Sequence, residues 1–154
     1  MKAVRFHEYG DPGVLRYEDV EQPTPGAGQV RVRVAATSFN PIDASVRAGN
    51  MQGPMPVVLP HTPGRDVAGT VDALGEGVDG FEAGAAVVGF LPMTDDGASA
   101  EYVLAPAEVL TAAPKSVPLA EAAALPLVGL TAYQALFDHG KLAAGQHVLI
   151  NGAG

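Results

Sequence analysis

Cysteine is absent from this 154-residue chain, which excludes a disulfide framework, a thiolate metal site and a thiol nucleophile. Tryptophan is absent too, and aromatic residues make up only 6%. Basic residues are few: nine Lys and Arg stand against 17 Asp and Glu, a formal net charge of −8. Residues 1–65 hold seven of the bases and six of the acids, whereas residues 66–154 hold two and eleven. No basic stripe exists to neutralise a phosphate backbone, so no nucleic-acid partner is expected. The acidic excess reads as a solvated surface. The N-terminal MKAVRFHEYG lacks the apolar core of a signal peptide, and no run of 18 apolar residues is present. A cytoplasmic protein without a membrane partner is therefore expected. No Gly-x-Ser-x-Gly elbow occurs, and the histidines at 7, 61, 139 and 147 have no metal-ligand spacing. They read as surface or turn residues, with no metal site.

What is present is apolar and full of turns. Hydrophobic residues make up 47% and mean hydropathy is +0.17, with 19 Gly and 13 Pro. That composition permits a sizeable core and argues against a helical bundle. Short strands are predicted at Lys2–Phe6, Val14–Val20, Gln29–Ala36, Val67–Leu74, Ala85–Leu91 and Ala100–Ala105. The clearest is the third, where Val30, Val32 and Val34 alternate with Arg31 and Arg33, giving one core face and one solvated face. Strands at this spacing predict a sandwich or a partly open barrel, so the fold class is mainly β. After Thr111 the pattern turns helical: Leu119–Leu125, with Ser116 as cap and Pro118 near its start, then Gly129–His139, stopped by Gly140. Gln146–Ile150 is apolar without alternation, as in a strand buried on both faces of a parallel sheet.

Three segments could carry chemistry. The ending Asn151-Gly152-Ala153-Gly154 follows that buried run, as the Gly-x-Gly opening of a dinucleotide-binding unit does, where glycines let a pyrophosphate approach a helix N-terminus. A Gly-rich terminal turn explains it equally well. In Ser38–Gly49, Asn40 is a good N-cap, Pro41 suits the first helical position, and Asp43 falls where the helix dipole favours a carboxylate. Those roles are purely structural; the functional reading sets Asn40 on a cleft, with Arg47 as a cation for phosphate or substrate oxygen. Thirdly, Gly64-Arg65-Asp66-Val67-Ala68-Gly69 and Gly75-Glu76-Gly77 imply close backbone approach and a tight hairpin.

Taken in order, Ser38–Gly49, Gly64–Val71, Leu74–Val78, Ala122–Leu136 and Val148–Gly154 resemble the medium-chain dehydrogenase/reductase superfamily, and within it the zinc-independent quinone oxidoreductase branch. The resemblance implies a GroES-like, partly open barrel over residues 1–118. Residues 119–154 would then be linking helices and the first strand and Gly-rich turn of an incomplete Rossmann domain. The zinc ligands of the metal-dependent relatives fall on Asn40, Arg65 and Leu127, so zinc is not expected. The nicotinamide cofactor, NADPH with NADH still open, would meet Asn40 and Thr131, with Asn151, Gly152 and Gly154 at the pyrophosphate. Asn40, Arg47 and Arg65 would line the substrate cleft. A Tyr that the family often carries two residues after the Asp is replaced by Ser45.

The implied activity is hydride transfer from NADPH to a quinone or conjugated carbonyl, in a protein that dimerises with itself when intact. No proton donor is identified. The alternatives are an enoyl-thioester reductase of the same superfamily and, if the chain truly ends at 154, a non-catalytic GroES-like module. Residues 1–154 alone are expected to be inactive.

Overall fold

The computed structural model describes residues 1–152. Its main sheet is antiparallel and has five strands: β3 (Gln29–Ala36), β4 (Asp66–Leu74), β5 (Ala86–Phe90), β6 (Tyr102–Pro106) and β7 (Leu110–Ala112), in the order β6-β3-β4-β5-β7. β1 (Lys2–Phe6) and β2 (Leu15–Asp19) form a separate hairpin, stitched to the rest by bridges Ala3–Ala100 and Phe6–His61. The sheets do not close on each other. This is the expected partly open, mainly β architecture.

β3 behaves as its alternation dictates. Val30 and Val32 are fully buried, opposite Ala105 and Val103 of β6, while Arg31 reaches out to Asp72 at 2.6 Å. Burying each valine contributes roughly 1.5–3 kcal/mol. With Val67, Val71, Val87 and Leu91 they form one core. β4 is buried on its second face as well: Ala68 packs with Val88 against Ala122 and Ala123. That second face is the one on which Asp66 lies, two residues before Ala68.

The α-helices are short: α1 (Pro41–Arg47), α2 (Leu119–Ala122) and α3 (Pro126–Tyr133), which runs on as a π-helical stretch over Gln134–His139. Two local expectations need correction, and one strand, β7, was not expected. α2 ends three residues before Leu125, and a new helix starts at Pro126, whose missing N–H suits a first position. β7 is too short to show any alternation. Gln146–Ile150 pairs with no strand among the described residues, and Leu149 is 94% exposed there. No described helix is long and apolar enough to cross a membrane.

Candidate functional site

α1 sets the site's first wall. Asn40 is extended (φ −119°, ψ 154°), and Pro41 fixes the first helical residue. Asn40 and Asp43 stand in a capping-box relation whose tight half is Asp43: its Oδ2 accepts the Asn40 N–H at 2.8 Å. Asp43 Oδ1 also accepts the N–H of Gly64 at 3.1 Å. Gly64 has φ +103°, and a Cβ there would meet Thr37 Oγ1 and the Ser99 backbone, so only glycine fits comfortably. Asp43 thus serves more than its own helix.

The side chain of Asn40 faces the Asp43 N–H as the other half of the box, so the expected N-cap position holds. A tertiary role is added to it. Its Nδ2 donates to Asp66 Oδ2 at 2.8 Å and to Ser38 Oγ at 3.1 Å, and Ser38 Oγ itself donates to Asp66 Oδ2 in a short bond. The other oxygen, Asp66 Oδ1, accepts the N–H of Leu127 at 2.7 Å. Leu127 is the second residue of α3, so Asp66 satisfies one of that helix's orphan donors and sits where the helix dipole favours negative charge. Asp66 is only 1% exposed and, among the described residues, has no basic partner; three hydrogen bonds satisfy its buried carboxyl oxygens. From Leu127 the chain of bonds continues, because Thr131 Oγ1 donates to the Leu127 carbonyl at 2.7 Å. Asn40 and Thr131, expected at one cleft, are therefore joined through Asp66 and Leu127.

Asp66 and Ser38 are the residues that sequence reasoning missed. Both stand inside motifs quoted above, but nothing local marks them. The one available signal was phase: Asp66 shares a strand face with Ala68, which is apolar and small enough to lie under a helix.

Arg65 is turned away from this network. Adjacent residues entering a strand point to opposite faces, so with Asp66 toward α3, Arg65 goes to the other side. Its guanidinium donates to the carbonyls of Pro92 and, at 3.3 Å, Thr62. It is 3% exposed, and burial pushes its pKa down, with Asp43, Asp95 and Asp96 acting the other way. Arg65 is a structural cation rather than a cleft cation. Arg47 donates through Nε to the Gly10 carbonyl at 3.2 Å and borders a cavity of about 230 Å³ with Val4, Leu15, Phe39 and Pro63. Asn151 and Gly152 lie in an exposed turn, with Gly152 at φ +76°, and share no hydrogen bond with Asn40 or Thr131. Gly154 lies outside the described residues. Among the described residues no three His, Cys, Asp or Glu side chains cluster as a metal site would require.

His61, expected at the surface, is 2% exposed and packs edge-on against Phe6 at 5.4 Å between ring centres. Arg65 can only donate, so His61 Nε2, 3.4 Å from it, is the acceptor, and Nδ1 faces Asp96 at 3.5 Å. Burial first, then the Arg65 charge, lowers its pKa to about 4; Arg5 adds to that, and Asp96 and Asp95 oppose it. The unfolded chain, with a His near 6.5, binds the extra proton first. Stability is therefore complete above about pH 6.5 and falls as pH drops toward 4, by on the order of 3 kcal/mol from this group. Urea titrations between pH 7 and 4 should show that slope, and His61→Gln should flatten it. An unchanged slope in the variant would refute the assignment.

The comparisons with known proteins fit this geometry. The alcohol dehydrogenase GroES-like domain model matches residues 26–115. A rat quinone oxidoreductase is 36% identical over 154 residues, covering 99% of this chain and 46% of the relative. The structure of human synaptic vesicle membrane protein VAT-1 homolog-like protein superposes with a TM-score of 0.86 at 36% identity, over 94% of this chain and 45% of that one. A mycobacterial protein solved in complex with NADPH superposes with a TM-score of 0.82 at 37% identity, over 94% and 43%. The chain spans about half the length of the curated relatives it matches. It belongs to the alcohol dehydrogenase GroES-like domain family and corresponds to the N-terminal portion of the quinone oxidoreductase-like branch of the medium-chain dehydrogenase/reductases.

Proposed function

We propose that this chain is the substrate-domain half of a nicotinamide-dependent reductase of quinones or conjugated carbonyls that works without zinc. The observation that carries the reading is the fate of the three positions where metal-dependent relatives place ligands. Asn40 turns its amide nitrogen to Asp66 and Ser38, Arg65 is a buried cation on backbone carbonyls, and Leu127 offers only its N–H. Neither a guanidinium nor an alkyl side chain ligates a metal.

The cofactor reading is supported by the same network. Asn40 and Thr131 are the two polar groups this chain would bring to a nicotinamide, and both are held by bonds to fixed elements. When bound, NADPH would supply the hydride, taken up by the quinone ring or the β-carbon of an enone. Side chains of Val128, Leu130, Phe137 and Leu149 are exposed, an apolar surface of the kind that a further domain covers. The quinone oxidoreductase relatives are about twice as long, so residues 1–154 alone are expected to show no turnover and no tight NADPH binding. The resemblance alone carries the remaining expectations, a homodimer in the cytoplasm.

The full-length product of the gene should oxidise NADPH in the presence of a naphthoquinone after exhaustive chelation, with far less than one zinc per chain by elemental analysis. Activity that disappears on chelation and returns with zinc would overturn the reading.

A further inference from the structure

We propose that the cavity between the β1–β2 hairpin and α1 is a binding site of its own, for a small carboxylate with an apolar body. Its lining includes neither Asn40 nor any residue of α3, so it stands apart from the place where those groups meet. It goes beyond the reductase reading and does not depend on it.

The walls are hydrocarbon. Val4 and Leu15 come from the hairpin, Phe39 and Pro63 from the loops that lead into α1 and β4. At about 230 Å³ the space equals roughly eight waters and falls below the range of drug-sized ligands. A single ring or a short branched chain suits it. Most polar groups around it are already spent. Thr37 Oγ1 donates to the Asp66 carbonyl at 2.7 Å, and Ser38 Oγ donates to the Asp66 carboxylate. Asp43 accepts the N–H groups of Asn40 and Gly64.

Two groups are not spent. Among the described residues Ser99 Oγ has no hydrogen-bond partner, and neither have the two Nη atoms of Arg47; none of the three is sealed from solvent. Arg47 is tied at its other edge: its Nε donates to the Gly10 carbonyl at 3.2 Å, and the Gly10 N–H donates back to the Arg47 carbonyl at 2.9 Å. Arg5 and Arg31, by contrast, pair with Glu18 and Asp72. A partly buried cation without an anion is costly, and this one lies in a chain with 17 Asp and Glu that pairs none of them with it. The anion is therefore one supplied from outside. The free Nη edge of a guanidinium matches the two oxygens of a carboxylate, and the Ser99 hydroxyl can add a third donor. A phosphate dianion fits less well, because Asp43 borders the same space and opposes a second negative charge.

The test is a titration of the full-length protein with benzoate, followed by NMR through the methyl groups of Val4 and Leu15. Benzoate should shift those signals saturably through its ring current. Benzamide, which has the same shape without the charge, should bind about tenfold or more weakly, the scale of a charge-assisted hydrogen bond. Arg47→Gln should erase the difference between the two probes. Leu15→Trp, which fills the space from the hairpin side, should abolish both titrations, and it carries the test if Arg47→Gln does not fold. An Arg47 that served only the last turn of α1 would change stability and leave the ratio of the two affinities as it was. NADP⁺ and a naphthoquinone, added together, should not displace benzoate. Absence of a saturable shift at Val4 and Leu15, or a preference for benzoate that survives in Arg47→Gln, overturns the site. Displacement of benzoate by NADP⁺ or the quinone overturns its separateness. Loss of the reductase reading alone would change none of the expected results.

Discussion

Asp66→Ala is expected to destabilise the chain by about 4 kcal/mol, more than most substitutions of a polar residue. The carboxylate is almost wholly buried and accepts from Ser38, Asn40 and Leu127. Alanine leaves those donors facing an apolar side chain, at roughly 1–3 kcal/mol for each that stays dry. Part of this is returned because the buried charge itself disappears. Loss of the acceptor at Leu127 also removes a cap from α3, worth about 1 kcal/mol. Asp66→Asn keeps one oxygen and should lose about half as much. Urea unfolding of the two variants measures both figures, and a loss below about 1 kcal/mol for alanine would mean that the network does not hold the site together.

The second large effect is expected at Gly69, where valine should cost roughly 3 kcal/mol or more. Gly69 lies in the middle of β4, opposite Val34 on one side and Val87 on the other. A Cβ there would collide with the carbonyl of Arg33 and with Val32 Cγ1. The backbone of β3 already bulges between Val34 and Ala36 at this point and is held on its far side by β6, so it has no room to retreat. Overpacking of this kind costs about 1–3 kcal/mol before any ladder bond is lost. Thermal unfolding should show a Tm lower by roughly 6–12 °C for a chain of this size. Gly53, whose added Cβ meets nothing within 4 Å, is the control, and valine there should be nearly neutral. Equal behaviour of the two variants would contradict the close approach of β3 and β4.

These two residues mark the limit of what the sequence displays. β3 was legible because its alternation is a property of neighbouring residues, and the start of α1 because Asn40, Pro41 and Asp43 carry their signals within four positions. Asp66 was not, since its partners lie 28, 26 and 61 residues away. The same holds for the Asn40 amide nitrogen, whose bonds to Ser38 and Asp66 add a tertiary role to the local one. A cation beside a Gly-rich motif suggests substrate binding, but only one of two adjacent residues can face α3; Asp66 does, and the Arg65 guanidinium lies buried on the Pro92 and Thr62 carbonyls. Apolar periodicity could not separate α3 from its π-helical continuation, because the six residues Gln134–His139 hold little more than one turn, too few to show a change of period. An apolar run such as Gln146–Ile150 becomes a strand only where another strand lies beside it, and none of the described strands does.

The central claim is that hydride passes directly to carbon in a site where Asn40, Arg65 and Leu127 replace a metal. It is tested most directly by giving the chelated full-length protein 4-deuterated NADPH, in both stereoisomers, with a simple cyclic enone, and analysing the reduced product by mass spectrometry and NMR. In that reaction the C=C bond is reduced, NADPH is oxidised, and the α-carbon takes a proton from water. Deuterium at the β-carbon from one stereoisomer only, at an unchanged rate without zinc, is the predicted result; a product without deuterium, or turnover only after zinc is restored, would contradict it.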